Sequence, residues 1–145
     1  MQLRIGFRGG GLMRGLKIAV RALCLLIVFA GMVQLVDGVS FLLIAGAPVA
    51  SIFNDPVLNS QMRFWGAIWF GFGIVLWHAS NRLGTDSALF RLLCCILGLR
   101  GLTRLEFAVV FGLPGPMLTS AMAITLIVAP GLLFGHAIVL RRVRE

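Results

Sequence analysis

Charge is what this chain has least of. Asp, Glu, Lys and Arg make up 12% of its 145 residues, where a soluble domain carries about 25%. Acidic residues are scarcer still, five against thirteen basic ones, for a net charge of +8. The charges gather mostly at the ends of apolar segments, and mean hydropathy is +1.00. That pattern makes lipid the expected solvent. Cysteine is also sparse. Cys24, Cys94 and Cys95 all fall inside apolar stretches, and an odd count with none in a loop argues against a disulfide framework. The vicinal Cys94 and Cys95 point to different faces of a helix, so all three read as small apolar packing residues. There is no Ser-His-Asp order, Walker loop, paired-carboxylate arrangement, C-x-x-C or H-x-x-x-H, and no strand precedes the glycine runs as a dinucleotide motif requires. No catalytic residue, metal ligand or cofactor is therefore assigned, and an enzyme is the least favoured class.

What the chain does have is long apolar runs. One compact domain is expected, an all-α integral membrane bundle of four helices. Residues 1–17 are glycine-rich and basic, with Arg4, Arg8, Arg14 and Lys17, and read as a mobile cytoplasmic arm. Residues 18–36 form the first span, long enough for the hydrocarbon core, and the length of this run favours an uncleaved anchor over a signal peptide. Arg21 can snorkel back to the headgroups. Residues 39–53 are apolar but short and interrupted by Gly46 and Pro48, which fits an interfacial or re-entrant segment. Asn54-Asp55-Pro56 turns the chain, with Asp55 extended by its proline or capping the next helix. Residues 60–79 form the second span, with Trp65, Trp69 and Phe72 at helical spacing, and Gly66 and Gly73 placed to let a neighbouring backbone approach. Residues 89–111 and 117–140 form the third and fourth spans, joined by the uncharged turn GLPGP, and Pro130 is expected to kink the last. A basic tail, 141–145, follows. Lys and Arg crowd the arm, the second loop and the tail, so both termini are expected to be cytoplasmic at a bacterial inner membrane. The same placement favours membrane lipids over nucleic acid as the partner of the positive charge. A second copy of the chain or another membrane protein is the other partner class.

The third span is the unusual one. Thirteen of its residues are Leu, Ile, Val or Phe, worth roughly −4 to −8 kcal/mol on an insertion scale. Arg100, Arg104 and Glu106 each cost about +2.5 to +3.5 kcal/mol at mid-span. The sum is near zero or unfavourable, so the helix needs neighbours or a water-filled crevice. Arg100 and Arg104, four apart, share a face and require acceptors; Gln34, Thr119, Ser120, backbone carbonyls or an anionic ligand are the candidates. Glu106 points elsewhere, and its expected partner is Arg63, at similar depth on the second span. Arg63, Arg100, Arg104 and Glu106 thus form the candidate ligand-binding or structural charge network. Gln34, His78 and His136 are second-rank polar candidates, the histidines expected at the cytoplasmic ends of their helices, about one turn from Cys24 and Cys94. A metal there is disfavoured for want of ligand spacing.

The segment Gln61-Met62-Arg63-Phe64-Trp65-Gly66-Ala67-Ile68-Trp69-Phe70-Gly71 resembles the R-x-x-G opening of the second helix in a family of small bacterial inner-membrane proteins classed as a domain of unknown function. Gly101-Leu102-Thr103-Arg104 and the later Phe111-Gly112-Leu113-Pro114 are similar to its G-x-x-R third helix and Gly-Pro turn. Glu106 departs from that pattern, standing where the family has a small polar residue. The likeness covers most of residues 18–140 and implies a four-helix membrane fold with Arg63 and Arg104 as its characteristic charges. A looser resemblance exists to DoxX-like four-helix proteins, some linked to quinone or thiol redox systems. The alternative function is a small carrier or redox accessory binding an anionic or quinone-like ligand at Arg63, Arg100 and Arg104. The residues themselves favour an accessory or binding subunit without catalytic activity.

Overall fold

Four helices account for nearly all the described residues (7–41, 55–83, 87–113 and 115–144) of the computed structural model. They are α1 (Phe7–Asp37), α2 (Pro56–Asn81), α3 (Ser87–Phe111) and α4 (Pro116–Arg144), with one 3-10 turn, Gly38–Ser40, after α1. The fold is all-α.

The helix starts and stops follow from local chemistry. Asp55 is extended, as its proline requires, and its carboxylate accepts from Val57 N (2.8 Å) and Leu58 N (3.2 Å), with Pro56 in the first turn where no N–H is needed. Both alternatives for Asp55 are therefore realised together. At the far end of α3, Gly112 takes φ +92°, and its N–H bonds Ala108 O at 3.0 Å. A glycine there closes the helix without the steric penalty a Cβ would bring. Helix α4 runs on through Pro130.

Helix α1 begins well before the expected span. Residues from Phe7 onward are helical, so the described part of the basic arm continues α1. Once a helix is nucleated, each added residue gains a hydrogen bond, and no proline interrupts this stretch. Leu16 also finds a surface, packing on the core. Of the short apolar segment 39–53, the structure describes 39–41, where Val39 is buried; residues 42–54, and with them the interfacial or re-entrant reading, lie outside the described residues.

Helices α1 and α2 form one antiparallel pair and α3 and α4 another. Glycine makes the first pair close. A Cβ built on Gly31 would lie 2.5 Å from Phe70 N and 3.0 Å from Gly66 O, and one on Gly66 would lie 2.8 Å from Leu35 Cα. The backbones touch where Gly31 and Gly66 face each other, the small-residue packing expected of Gly66. In the second pair Gly98 faces Ala129, and Gly101 faces Leu126 and Thr125. The two pairs share an apolar core built from Val20, Cys24, Leu76, Phe90, Leu93, Cys94, Leu97 and Leu132. These residues come from the halves of the helices near the start of α1 and the end of α4.

Outside that core the helices turn apolar side chains outward. Phe29 is 70% exposed, Leu99 63%, Val109 78% and Ile127 71%. Two stretches, Met13–Ser40 and Pro116–Arg141, are long and apolar enough to cross a membrane. Helix α2 carries three tryptophans, Arg63 and His78, and α3 carries Arg91, Arg100, Arg104 and Glu106.

Candidate functional site

The buried stripe of α3 runs Phe90, Leu93, Cys94, Leu97, Gly101 and Ala108. Arg100 is seven residues after Leu93 and Arg104 seven after Leu97, so both continue that stripe across the middle of the helix. Both are half-buried. They begin one turn beyond Leu97, where the contiguous core contributed by α3 ends.

Trp69 of α2 meets Arg100 there. The guanidinium carbon lies 3.3 Å from the centroid of the indole ring. Phe72 packs edge-on to the same ring, centroids 5.3 Å apart, which holds the indole in place. The indole face carries negative quadrupole density, so the contact is attractive and strengthens where water is scarce. A ring face is nevertheless no carboxylate. Neither the Arg100 nor the Arg104 guanidinium forms a hydrogen bond or ion pair with a described residue, although the Arg100 carbonyl accepts from Thr103 Oγ1 at 2.9 Å. The side chains expected to accept from them spend their protons on other groups, and none is seen to accept from either guanidinium. Gln34 donates to Met62 Sδ at 3.6 Å, Ser120 donates to Met117 O at 2.8 Å, and Thr119 donates to Gly115 O at 3.3 Å. Thr125, facing Gly101, bonds its own helix at Ala121 O and Met122 O. Two like charges one turn apart repel, so this is an electropositive, donor-rich spot beside an aromatic face. Its chemistry suits an oxyanion or carbonyl oxygen on an otherwise apolar molecule.

The expected Arg63–Glu106 pair does not form. Arg63 Nε donates to Asn59 Oδ1 at 3.4 Å, and the same oxygen accepts from Val39 N at 3.2 Å. The expectation compared positions along the helices, but rotation about the helix axes keeps the two apart. The start of α2 packs on the end of α1, so Arg63 joins the Gly38–Val39 turn rather than α3. Gly38 takes φ +58° there, and a Cβ on it would run into Asn59 Oδ1. Arg63 is therefore part of an end-of-helix clasp, and Glu106 is exposed on α3. The four-residue charge network thus resolves into one arginine pair and two separate residues.

The histidines also part company. His78 is exposed, whereas His136 is fully buried. Its Nε2 lies 3.1 Å from Leu83 O and its ring 5.1 Å from that of Phe90. A carbonyl oxygen only accepts, so Nε2 carries the proton and donates. Cys24 and Cys94 lie in the core, and no group of three His, Cys, Asp or Glu residues comes together among the described residues. Arg21 reaches the end of α2, donating to Asn81 Oδ1 at 2.9 Å and covering the Trp77 ring at 5.1 Å.

Trp69, Asn59 and Asn81 are the partners that sequence reasoning missed. The aromatic spacing marked Trp69 as lying on a face, but the identity of the helix opposite was not in the pattern. No curated protein and no solved structure matches the chain, so the DoxX-like resemblance gains no support. One family model does match, over residues 15–136, and covers all four helices, including Arg63, Trp69, Arg100 and Arg104: the chain belongs to the family described as domain of unknown function (DUF4345).

Proposed function

We propose that this is a four-span integral membrane protein, an accessory or binding subunit without a catalytic centre of its own. The observation that carries the reading is the outward apolar face on all four helices. Leu25 and Phe29 on α1, Phe64 and Ile68 on α2, Leu99 and Leu102 on α3, and Ile127 and Phe134 on α4 are each more than two-fifths exposed. Soluble monomers rarely expose contiguous apolar patches above a few hundred Å². Charge asymmetry supports the topology. Arg14, Lys17, Arg21, Arg82, Arg91 and Arg141 belong to the end of the bundle where α1 starts and α4 finishes, while Asp37 and Asp55, with Arg63 as the counterweight, belong to the other. On the positive-inside rule the former end is cytoplasmic, in a bacterial inner membrane.

Within that reading, Arg100 and Arg104 are the ligand site. A structural tie would give both guanidiniums acceptors; among the described residues Arg100 has the face of an indole, and the two arginines repel each other. The ligand class is an amphipathic molecule with a carboxylate, phosphate or quinone-like carbonyl oxygen at mid-membrane depth. Trp69 supplies the assay. Purified protein is titrated with a short-chain ubiquinone analogue and, separately, with a fatty acid, while tryptophan emission is followed. Saturable quenching by one of them that is lost in Arg104→Leu, with the variant still folded by circular dichroism, supports the site. Non-saturable quenching identical in both proteins, or an Arg104→Leu chain that does not fold, assigns the arginines to packing.

A further inference from the structure

A second feature lies on the opposite face of α3. Between α3 and α4 runs an open groove of about 530 Å³ whose lining is almost wholly apolar. Its floor is low because Gly98 and Ala129 meet there with no large side chain; a Cβ on Gly98 would sit 3.8 Å from the Ala129 Cβ. Its walls are Cys95, Leu99 and Leu102 on α3 and Leu126, Pro130 and Leu133 on α4. The walls on α3 span seven residues, about 10 Å along the axis, a length and shape that suit a hydrocarbon chain lying parallel to the helices.

Charge says what kind of chain. Arg91 is four residues before Cys95 and eight before Leu99, so it stands on the groove stripe of α3. Arg141 is eight residues after Leu133, on the corresponding stripe of α4. Both are exposed, and both lie beyond the same end of the groove. Gly98 opposite Ala129 sets the register, so Arg91 lies about 6 Å beyond Cys95 and Arg141 about 7 to 8 Å farther out. That separation is comparable to the thickness of a headgroup layer, roughly 5 to 8 Å. At the opposite end of the groove Leu102 is followed on its stripe by Leu105, Glu106 and Val109, with no cation. One end of an apolar channel is thus basic and the other is not.

We infer that the α3/α4 groove holds one acyl chain of an anionic phospholipid, whose phosphate lies between Arg91 and Arg141. The inference rests on the four-span reading and is independent of the Arg100 site, which faces α2. Headgroup charge provides the selectivity, since each basic residue near the surface strengthens attraction to an anionic lipid several-fold, while the groove contributes contact area that every phospholipid shares.

The test is reconstitution of the full chain into vesicles of equal parts phosphatidylglycerol and phosphatidylcholine, followed by native mass spectrometry of the released protein. One phosphatidylglycerol per chain is expected, preferred over phosphatidylcholine by about tenfold or more. The Arg91→Gln/Arg141→Gln variant should lose that preference. Leu102→Trp, a substitution on an exposed position that fills the groove, should lose the lipid of either kind. Equal retention of the two lipids by the wild type, or unchanged retention in the variants, overturns the groove site while leaving a chain that stays in the vesicles. A chain that washes off the vesicles at alkaline pH overturns the membrane reading and this inference with it.

Discussion

Replacing Gly66 by alanine is the sharpest test of the packing. A Cβ there would lie 2.8 Å from Leu35 Cα and from Gln34 C, closer still to Leu35 N, and all three are backbone atoms of α1 that cannot rotate away. Ordinary contact begins at 3.4 Å, and the closest atom, Leu35 N, falls short of that by about 1 Å, so α1 and α2 must move apart by about that much at this point. A radial gap of 0.5 to 1 Å forfeits a quarter to a half of each dispersion contact, and α1 with α2 is the most extensive helix pairing in the molecule. Overpacking of this kind costs about 1 to 3 kcal/mol, partly offset by the higher helix propensity of alanine, about 1 kcal/mol. Gly71→Ala is the control, because nothing lies within 4 Å of its Cβ position, and only the propensity gain applies. Gly73→Ala should fall between, since its nearest neighbour is a movable Val28 methyl group at 2.6 Å. Unfolding in mixed micelles by rising dodecyl sulfate fraction, followed by tryptophan fluorescence, should rank stability Gly71→Ala, then Gly73→Ala, then Gly66→Ala. A Gly66→Ala protein as stable as Gly71→Ala would refute the close approach of the two backbones.

Other substitutions probe separate parts of the chain. Asp55→Ala should destabilise the same transition by about 0.5 to 2 kcal/mol through loss of the α2 cap, with Asp55→Asn recovering most of it. Gly112→Ala should cost about 1 to 2 kcal/mol from the left-handed backbone alone, because its Cβ would meet no neighbour, whereas Gly131→Ala, within a helix and equally open, should not be destabilising. Burying Leu83 O without a donor makes His136→Leu worth about 1 to 3 kcal/mol in the same denaturation series. A double-mutant cycle on Arg100→Gln and Trp69→Leu should give a coupling of about 0.5 to 2 kcal/mol; additive effects would show the indole contact carries no energy.

What the sequence determined by itself was everything that depends on local order. Apolar runs bounded by Asp55-Pro56 and by GLPGP set four helices, because capping, proline and glycine chemistry act within a few residues. The spacing of Gly66 and Gly73 announced a close helix contact, and the four-residue spacing of Arg100 and Arg104 put them on one face. The tertiary structure decided the rest, because rotation about a helix axis is not encoded in depth. Arg63 bonds Asn59 beside the end of α1 while Glu106 stays exposed on α3, so the expected ion pair gave way to that clasp. His136 went to the core because Leu83 O, in the turn after α2, and Phe90 on α3 meet it there, contacts that come from outside its own helix. The residues before Ile18 joined α1 because Leu16 found a surface beside Gly135 on α4, more than a hundred residues away. Trp69 became the partner of Arg100 for the same reason. Helical periodicity says which side chains share a face, and only packing says what that face meets.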